Sequence, residues 1–252
     1  MRASPIFSHA LIHTSIEKHD FERLIPGVPV TVVGNGVDLD YFRSAGEAKQ
    51  PASMVFTGVM DYRPNIDAVV WLCNEILPMV QTEIPGANFT ICGSRPAPVV
   101  RRLVKRRGVT VTGWVPDARP YLDRAEVFVA PLRMARGVQN KLLEALAMGL
   151  PCVASTAARS GTVVADRQGI LATDEPIEFA RYVIDLLRVR AAGGDGAPGP
   201  CSGGGELPLG AAVGAPRSGY CRGGIPTTAA EGGGSDMFPL LPVGRREGWA
   251  SG

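Results

Sequence analysis

Gly137, Lys141 and Glu144 fall within eight residues of one another, in the run LRMARGVQNKLLE. A glycine ahead of a helix lets an anion approach the backbone closely. The free N–H groups of the first helical turn and the helix dipole then favour a phosphate. Arg136 flanks this point, and Lys141 is predicted in the first turn. An arginine offers two parallel hydrogen bonds to a diphosphate and a lysine a point charge. Glu144 follows Gly137 by seven positions, which a helix started at Gly137 turns into two turns on nearly one face. A carboxylate there can accept two hydrogen bonds from ribose hydroxyls. Two further loops carry suitable residues: GVMDYRPN, with Gly58 and Arg63, and GSRP, with Arg95. The residues alone leave a plainer alternative open, in which Gly137 only starts a helix and Glu144 is a solvated helix residue.

Such a site needs elements to hold it. Apolar runs alternate with amphipathic ones up to about Arg190, the pattern of a parallel sheet covered by helices. Thr14-x-x-Glu17 fits a capping box opening a short helix that ends near Pro26. Strands are predicted at 28–33, 53–58, 87–92, 109–113, 126–131, 151–155 and 169–171. Helices are predicted from Pro64 to about Val80, with Pro78 bending the last turn, and over 98–107. A short helix is expected around 120–124, one from Gly137 to Met148, and a last one over 175–190. The expected class is α/β, a doubly wound Rossmann-like parallel sheet spanning 28–190. In that class ligands bind at the carboxyl ends of the strands, where strand order reverses.

Composition breaks after that point. The last 62 or so residues hold about 18 of the 31 glycines and seven of the 21 prolines. Glycine plus proline near 40% is typical of low-complexity, disordered sequence. Residues 191–252 are therefore expected to be disordered or translated from a shifted reading frame, since the change starts abruptly inside PIEFARYVIDLLRVR. Residues 1–27 are expected to be a remnant of a preceding region.

The formal net charge of +2 speaks against a nucleic-acid partner. No run reaches the roughly 18 apolar residues of a membrane span, and the N-terminus has no signal-peptide core. A cytoplasmic protein is expected, with peripheral attachment to the inner membrane left open. Cys73, Cys92, Cys152, Cys201 and Cys221 form no CxxC and are odd in number, so neither zinc nor a disulfide framework is expected. His9 and His13 stand four apart, yet near a strand start, where the spacing is more often incidental. The basic run RRLVKRR (101–107) reads as the solvated side of one helix rather than a membrane or nucleic-acid patch. Trp71, Trp114 and Trp249 show no base-stacking arrangement. A dinucleotide site would want G-x-G-x-x-G straight after a strand, which neither the Gly34–Gly36 region nor the Gly58 loop supplies.

The blocks VFVAPL-x4-GVQNKLLEALAMGLPCVAS, NGVDLDYF (35–42), FTGVMDYRPNIDAV (56–69) and VTVTGWVPDARPYL (109–122) together resemble the donor-binding half of GT-B glycosyltransferases, in the retaining family four. The wording MDYRPNIDAV and ARGVQNKLLEALAMG is most similar to sugar transferases associated with PEP-CTERM/exosortase exopolysaccharide systems. The resemblance covers about residues 10–190. It implies a metal-independent, cofactor-free transfer of a sugar, with retention, from a nucleotide-diphosphate donor to a saccharide or lipid-linked acceptor. It places Glu144 at the ribose, Gly137 in the phosphate-facing loop and Gly58 near the diphosphate. Three departures stand out. The first glutamate of the family's E-x7-E motif is replaced by Arg136. The usual Gly-Arg and Lys after the first donor strand are absent, leaving Arg63, Arg95, Arg136 and Lys141 as candidates. The acceptor half is not represented, so catalytic residues are not assigned. The alternative is a nucleotide-binding fragment without turnover.

Overall fold

The computed structural model describes residues 8–135, 137–162 and 169–192. Six strands form one parallel sheet: β3 (Ser53–Thr57), β4 (Asn88–Cys92), β5 (Val109–Gly113), β6 (Val127–Ala130), β7 (Cys152–Ala154) and β8 (Ile170–Ala172). Their spatial order is β5-β4-β3-β6-β7-β8. Strand order therefore reverses between β3 and β6, and the carboxyl ends of these two strands flank a crevice. The near-continuous apolar runs are explained by burial on both faces: every residue of β3, β6 and β7 is buried. Phe56 of β3 stacks on Phe128 of β6 at 6.5 Å, both fully buried.

The helices are α1 (Ser15–Leu24), α2 (Arg63–Trp71), α3 (Leu77–Glu83), α4 (Pro98–Arg102), α5 (Arg119–Arg124), α6 (Asn140–Ala147), α7 (Thr156–Ser160) and α8 (Pro176–Ala191). The capping box at Thr14 forms as expected, with Thr14 Oγ1 accepting from the Glu17 N–H and Glu17 accepting from the Thr14 N–H. Trp71 of α2 meets Phe179 of α8 edge-on at 6.0 Å, tying the last helix to the first crossover.

The strand expected at 28–33 forms as β2 (Val30–Val32) but does not join the large sheet. It pairs in parallel with β1 (Ala10–Ile12), within the stretch read as a remnant. His9 and His13 bracket β1 and bond to Thr31 Oγ1 and the Val33 carbonyl. Across the following loop, Ser44 Oγ and the N–H groups of Ala45 and Glu47 donate to the buried Asp123 carboxylate.

The bend expected in the last turn of the 64–80 helix lies upstream instead. Pro78 lacks an N–H, so the turn before it widens into a π-helical turn over Leu72–Ile76, and the Leu77 N–H reaches the Leu72 carbonyl. The Cys73 carbonyl, left without a helical donor, accepts from Arg106 Nη1 at 2.9 Å. Arg101 and Arg107 likewise donate to the Pro96 and Pro85 carbonyls. The run 101–107 is thus partly spent on bonding backbone, and the expected single helix is α4 followed by a 3₁₀ turn at Leu103–Lys105. Arg106 Nη2 also donates to Asn74 Oδ1, so Arg106→Ala should lower stability by about 1–3 kcal/mol in a denaturant melt, the scale for hydrogen bonds from a charged donor.

Cys73, Cys92 and Cys152 are buried, unpaired thiols, and burial pushes each above its ordinary pKa, Cys73 to about 12. Among the described residues no helix is long and apolar enough to cross a membrane, and no group of three metal-ligating side chains occurs. The tail reading for 191–252 falls almost wholly outside the described residues.

Candidate functional site

The loops leaving β3 and β4 are zipped together. The Gly58 N–H donates to the Cys92 carbonyl at 3.1 Å and the Met60 N–H to the Ser94 carbonyl at 2.8 Å. A side chain on Gly93 would stand 1.7 Å from the Gly58 oxygen, so glycine at 93 is what lets the two loops touch. The ladder is prolonged beyond the strands and holds an open cleft of about 640 Å³ at their carboxyl ends. Its walls include Gly58, Asp61, Tyr62, Asn65, Arg95 and Lys141.

Lys141 comes from α6, beyond β6, on the other side of the crevice. Its ammonium lies 4.4 Å from the centre of the Phe56 ring and donates to Asn65 Oδ1 at 2.7 Å. The ring face attracts the cation. Burial pushes the Lys141 pKa down to about 8, against the pull of Glu144 one turn further along α6. Burial likewise raises the Glu144 carboxyl, with Lys141 opposing it. A cation poised there, in a cleft that Arg95 also lines, suits an anion of diphosphate size. Arg95 sits at φ 51°, unusual for a residue with a side chain, and pairs with Asp61 at 2.9 Å.

The helix expected from Gly137 begins three residues later, at Asn140. Gly137 is a turn residue at φ +66°, and Gln139 is still extended, so Glu144 lies one turn from Lys141 rather than two turns from Gly137. Gly137 instead packs its carbonyl against Gly161, where a Cβ would come within 1.9 Å. The NGVDLDYF block reaches the same helix, Asn35 Nδ2 donating to Asn140 Oδ1 at 2.8 Å.

Of the candidates, Gly58, Arg95 and Lys141 meet in the cleft, with Glu144 beside Lys141. Arg63 is exposed on the first turn of α2. Arg136 lies outside the described residues. Sequence reasoning passed over Asn65, which the loop GVMDYRPN contained. A signal was present: Asn65, Ala68 and Val69 share the buried stripe of α2, so a polar amide stands where a helix expects an apolar side chain.

Residues 51–189 match the family model described as Glycosyl transferases group 1. The chain belongs to that family. A protein in the cps region of Klebsiella pneumoniae, itself described as an uncharacterized 44.6 kDa protein, is 21% identical over 144 residues, covering 54% of this chain and 37% of that one. Among solved structures, TarM superposes with a TM-score of 0.61 at 14% identity over 73% of this chain and 37% of its own. The pneumococcal O-GlcNAc transferase GtfA, in complex with UDP and GlcNAc, gives 0.54 at 13% identity over 74% and 39%. HepE from Anabaena, in complex with UDP and glucose, gives 0.55 at 12% identity over 73% and 54%. This group 1 chain therefore spans a little over a third of the length of the first of these relatives. Their likeness establishes the GT-B type of α/β fold for the six-stranded sheet and its helices.

Proposed function

We propose that the cleft binds the diphosphate of a nucleotide-sugar donor, and that the chain is the donor half of a retaining glycosyltransferase. The observation that carries this reading is Lys141, whose ammonium is brought from beyond β6 to the loop after β3, at the reversal point of the sheet. This chain lacks the cations usual in the family after the first strand, and Lys141 supplies one to the same place by another route. Gly58 keeps the backbone open there, and Arg95 faces the diphosphate from the β4 loop. Arg63 and Arg136, in the segments after β3 and β6, are the further cations of the donor half. Gly137 shapes the loop ahead of α6, and Glu144 accepts from the ribose hydroxyls.

In the transfer, the bond from the anomeric carbon to the diphosphate oxygen breaks. An acceptor hydroxyl oxygen bonds to the same face of that carbon, and its proton passes to the departing diphosphate oxygen. The role of Lys141 and Arg95 is to stabilise the negative charge that collects on the departing diphosphate. The acceptor is a saccharide or lipid-linked saccharide, and the setting is exopolysaccharide assembly at the cytoplasmic side of the inner membrane. The cps-region relative and the wording shared with PEP-CTERM/exosortase-associated transferases support that setting.

The test is titration calorimetry of the full chain with UDP, GDP and ADP. One nucleoside diphosphate should bind saturably. Glu144→Ala should weaken it about tenfold, the scale of a charge-assisted hydrogen bond. The corresponding 2′,3′-dideoxynucleotide should bind the parent chain and the variant alike. A variant that loses equal affinity for both nucleotides would remove Glu144 from the ribose. Failure of all three nucleotides to bind would sink the donor reading.

A further inference from the structure

We infer that Asn65 is a positioning residue of the donor site, holding the Lys141 ammonium against the Gly58 loop without neutralising its charge. The inference rests on the donor reading above and adds a part to it. Asn65 is only 5% exposed, and both ends of its amide are in use. Nδ2 donates to the Val59 carbonyl at 2.9 Å, and Oδ1 accepts from Lys141 Nζ at 2.7 Å. The amide is therefore held by the loop it helps to shape, and its oxygen is left aimed at the lysine. Gly58 completes the clamp. A Cβ at that position would stand 2.7 Å from Asn65 Nδ2 and 3.1 Å from Lys141 Nζ, so both side chains pack against its bare Cα.

The choice of amide over carboxylate matters for charge. An aspartate at 65 would pair with Lys141 and cancel its field at short range. A neutral amide supplies a hydrogen bond and leaves the full positive charge for an incoming anion. Asp61, a carboxylate of the cleft wall, is already engaged by Arg95. Among the described residues, the groups around Lys141 are thus Asn65 of α2 and the Phe56 ring of β3, Asp61, Tyr62 and Arg95 around the cleft, and Glu144 on its own helix.

The experiment compares the full-length parent chain, Asn65→Asp and Lys141→Met by calorimetry, with inorganic pyrophosphate and UDP, GDP and ADP as probes. Lys141 is followed in parallel by NMR of 13Cε-labelled lysine. Asn65→Asp pairs with Lys141 but can no longer donate to the Val59 carbonyl; it should still melt cooperatively, bind pyrophosphate at least tenfold more weakly, and raise the Lys141 pKa. Parent affinity should fall as pH rises through about 8, where the ammonium loses its proton, and in Asn65→Asp the weaker binding should decline at higher pH. A merely structural asparagine would change the melting temperature and leave pyrophosphate affinity in place.

If the parent binds, Lys141→Met loses binding and Asn65→Asp binds as the parent does, the inference is wrong while the donor reading stands. If the parent binds neither pyrophosphate nor any of the nucleotides, the donor reading fails and the inference falls with it. Should Asn65→Asp not fold, Asn65→Ser carries the comparison. A serine hydroxyl cannot span both contacts, so weakened pyrophosphate binding with a cooperative melt supports the inference, and unchanged binding overturns it.

Discussion

Lys141→Met is expected to weaken binding of a nucleoside diphosphate by about 10- to 100-fold while raising the melting temperature at neutral pH. The loss follows from removing charge-assisted hydrogen bonds to phosphate, each worth about 1.5–3 kcal/mol. The gain in stability has a separate origin. Burial brings the Lys141 pKa from 10.5 down to about 8. Between those values the unfolded chain binds more protons than the folded one, so stability rises with pH across the window. Below about pH 8 the penalty for keeping the ammonium in its site is fully present. Its size is at most about 3–4 kcal/mol, since each tenfold loss of proton affinity corresponds to about 1.4 kcal/mol. Methionine keeps much of the packing over Phe56 and removes the charge. The stability difference between variant and parent should therefore be largest near pH 7 and shrink toward pH 10.5. Denaturant melts at pH 7, 9 and 10.5 test the sign. A Lys141→Met chain less stable than the parent at pH 7 would mean that the Asn65 and Phe56 contacts outweigh desolvation. Opposite responses of stability and binding are the mark of a residue kept for what it binds.

Gly93→Ala is expected to abolish binding at the cleft and to lower stability by about 2–4 kcal/mol, at or beyond the usual range for overpacking. The added methyl would lie 1.7 Å from the Gly58 carbonyl oxygen and 2.8 Å from its carbon. Both obstacles are backbone, so no rotamer change relieves the contact. The β4 loop must move away from the β3 loop, breaking the bonds from the Gly58 and Met60 N–H groups to the Cys92 and Ser94 carbonyls. Asn65 and Lys141 lose their shared anchor as a result. Gly86→Ala is the control, since a Cβ there meets nothing within 4 Å and the backbone is not in the left-handed region. It should melt within about 0.5 kcal/mol of the parent, as exposed substitutions usually do. Gly93→Ala that melts cooperatively and still binds pyrophosphate like the parent would show that the loop contact is dispensable for the site.

How far the molecule was legible beforehand depended on the range of each interaction. The central strands were readable because burial on both faces demands unbroken apolar runs, and SMVFT, VFVA and CVA are such runs, each bounded by a polar or turn residue. The capping box at Thr14 was readable because both partners lie within one helical turn. The alternation of strands and helices implied a parallel sheet, and the motif blocks implied its family, since their spacing reflects one chain path. Local misreadings had local causes. Gly137 looked like a helix start, but its left-handed φ makes it the turn before one. Pro78 announced a distortion, and the backbone relieved it upstream by widening a turn that Arg106 could support from the loop after the 3₁₀ turn.

Tertiary structure alone decided the pairings made over long stretches of chain. β2 is a strand by its own residues, yet nothing in VPVTVV says that Ala10–Ile12 is its neighbour rather than the large sheet. Arg63 and Asn65 stand two residues apart in the same loop, and their chemistry favoured the arginine as the anion ligand. Helical geometry turned Arg63 to solvent and Asn65 to the core. Lys141 met Asn65 across 76 residues only because the strand order reverses between β3 and β6, which brings α6 over the first loop. Sequence by itself determined which segments must be buried, because hydrophobic periodicity is written residue by residue. Which polar groups then share the crevice was decided by the order in which those segments pack, a property no single segment carries.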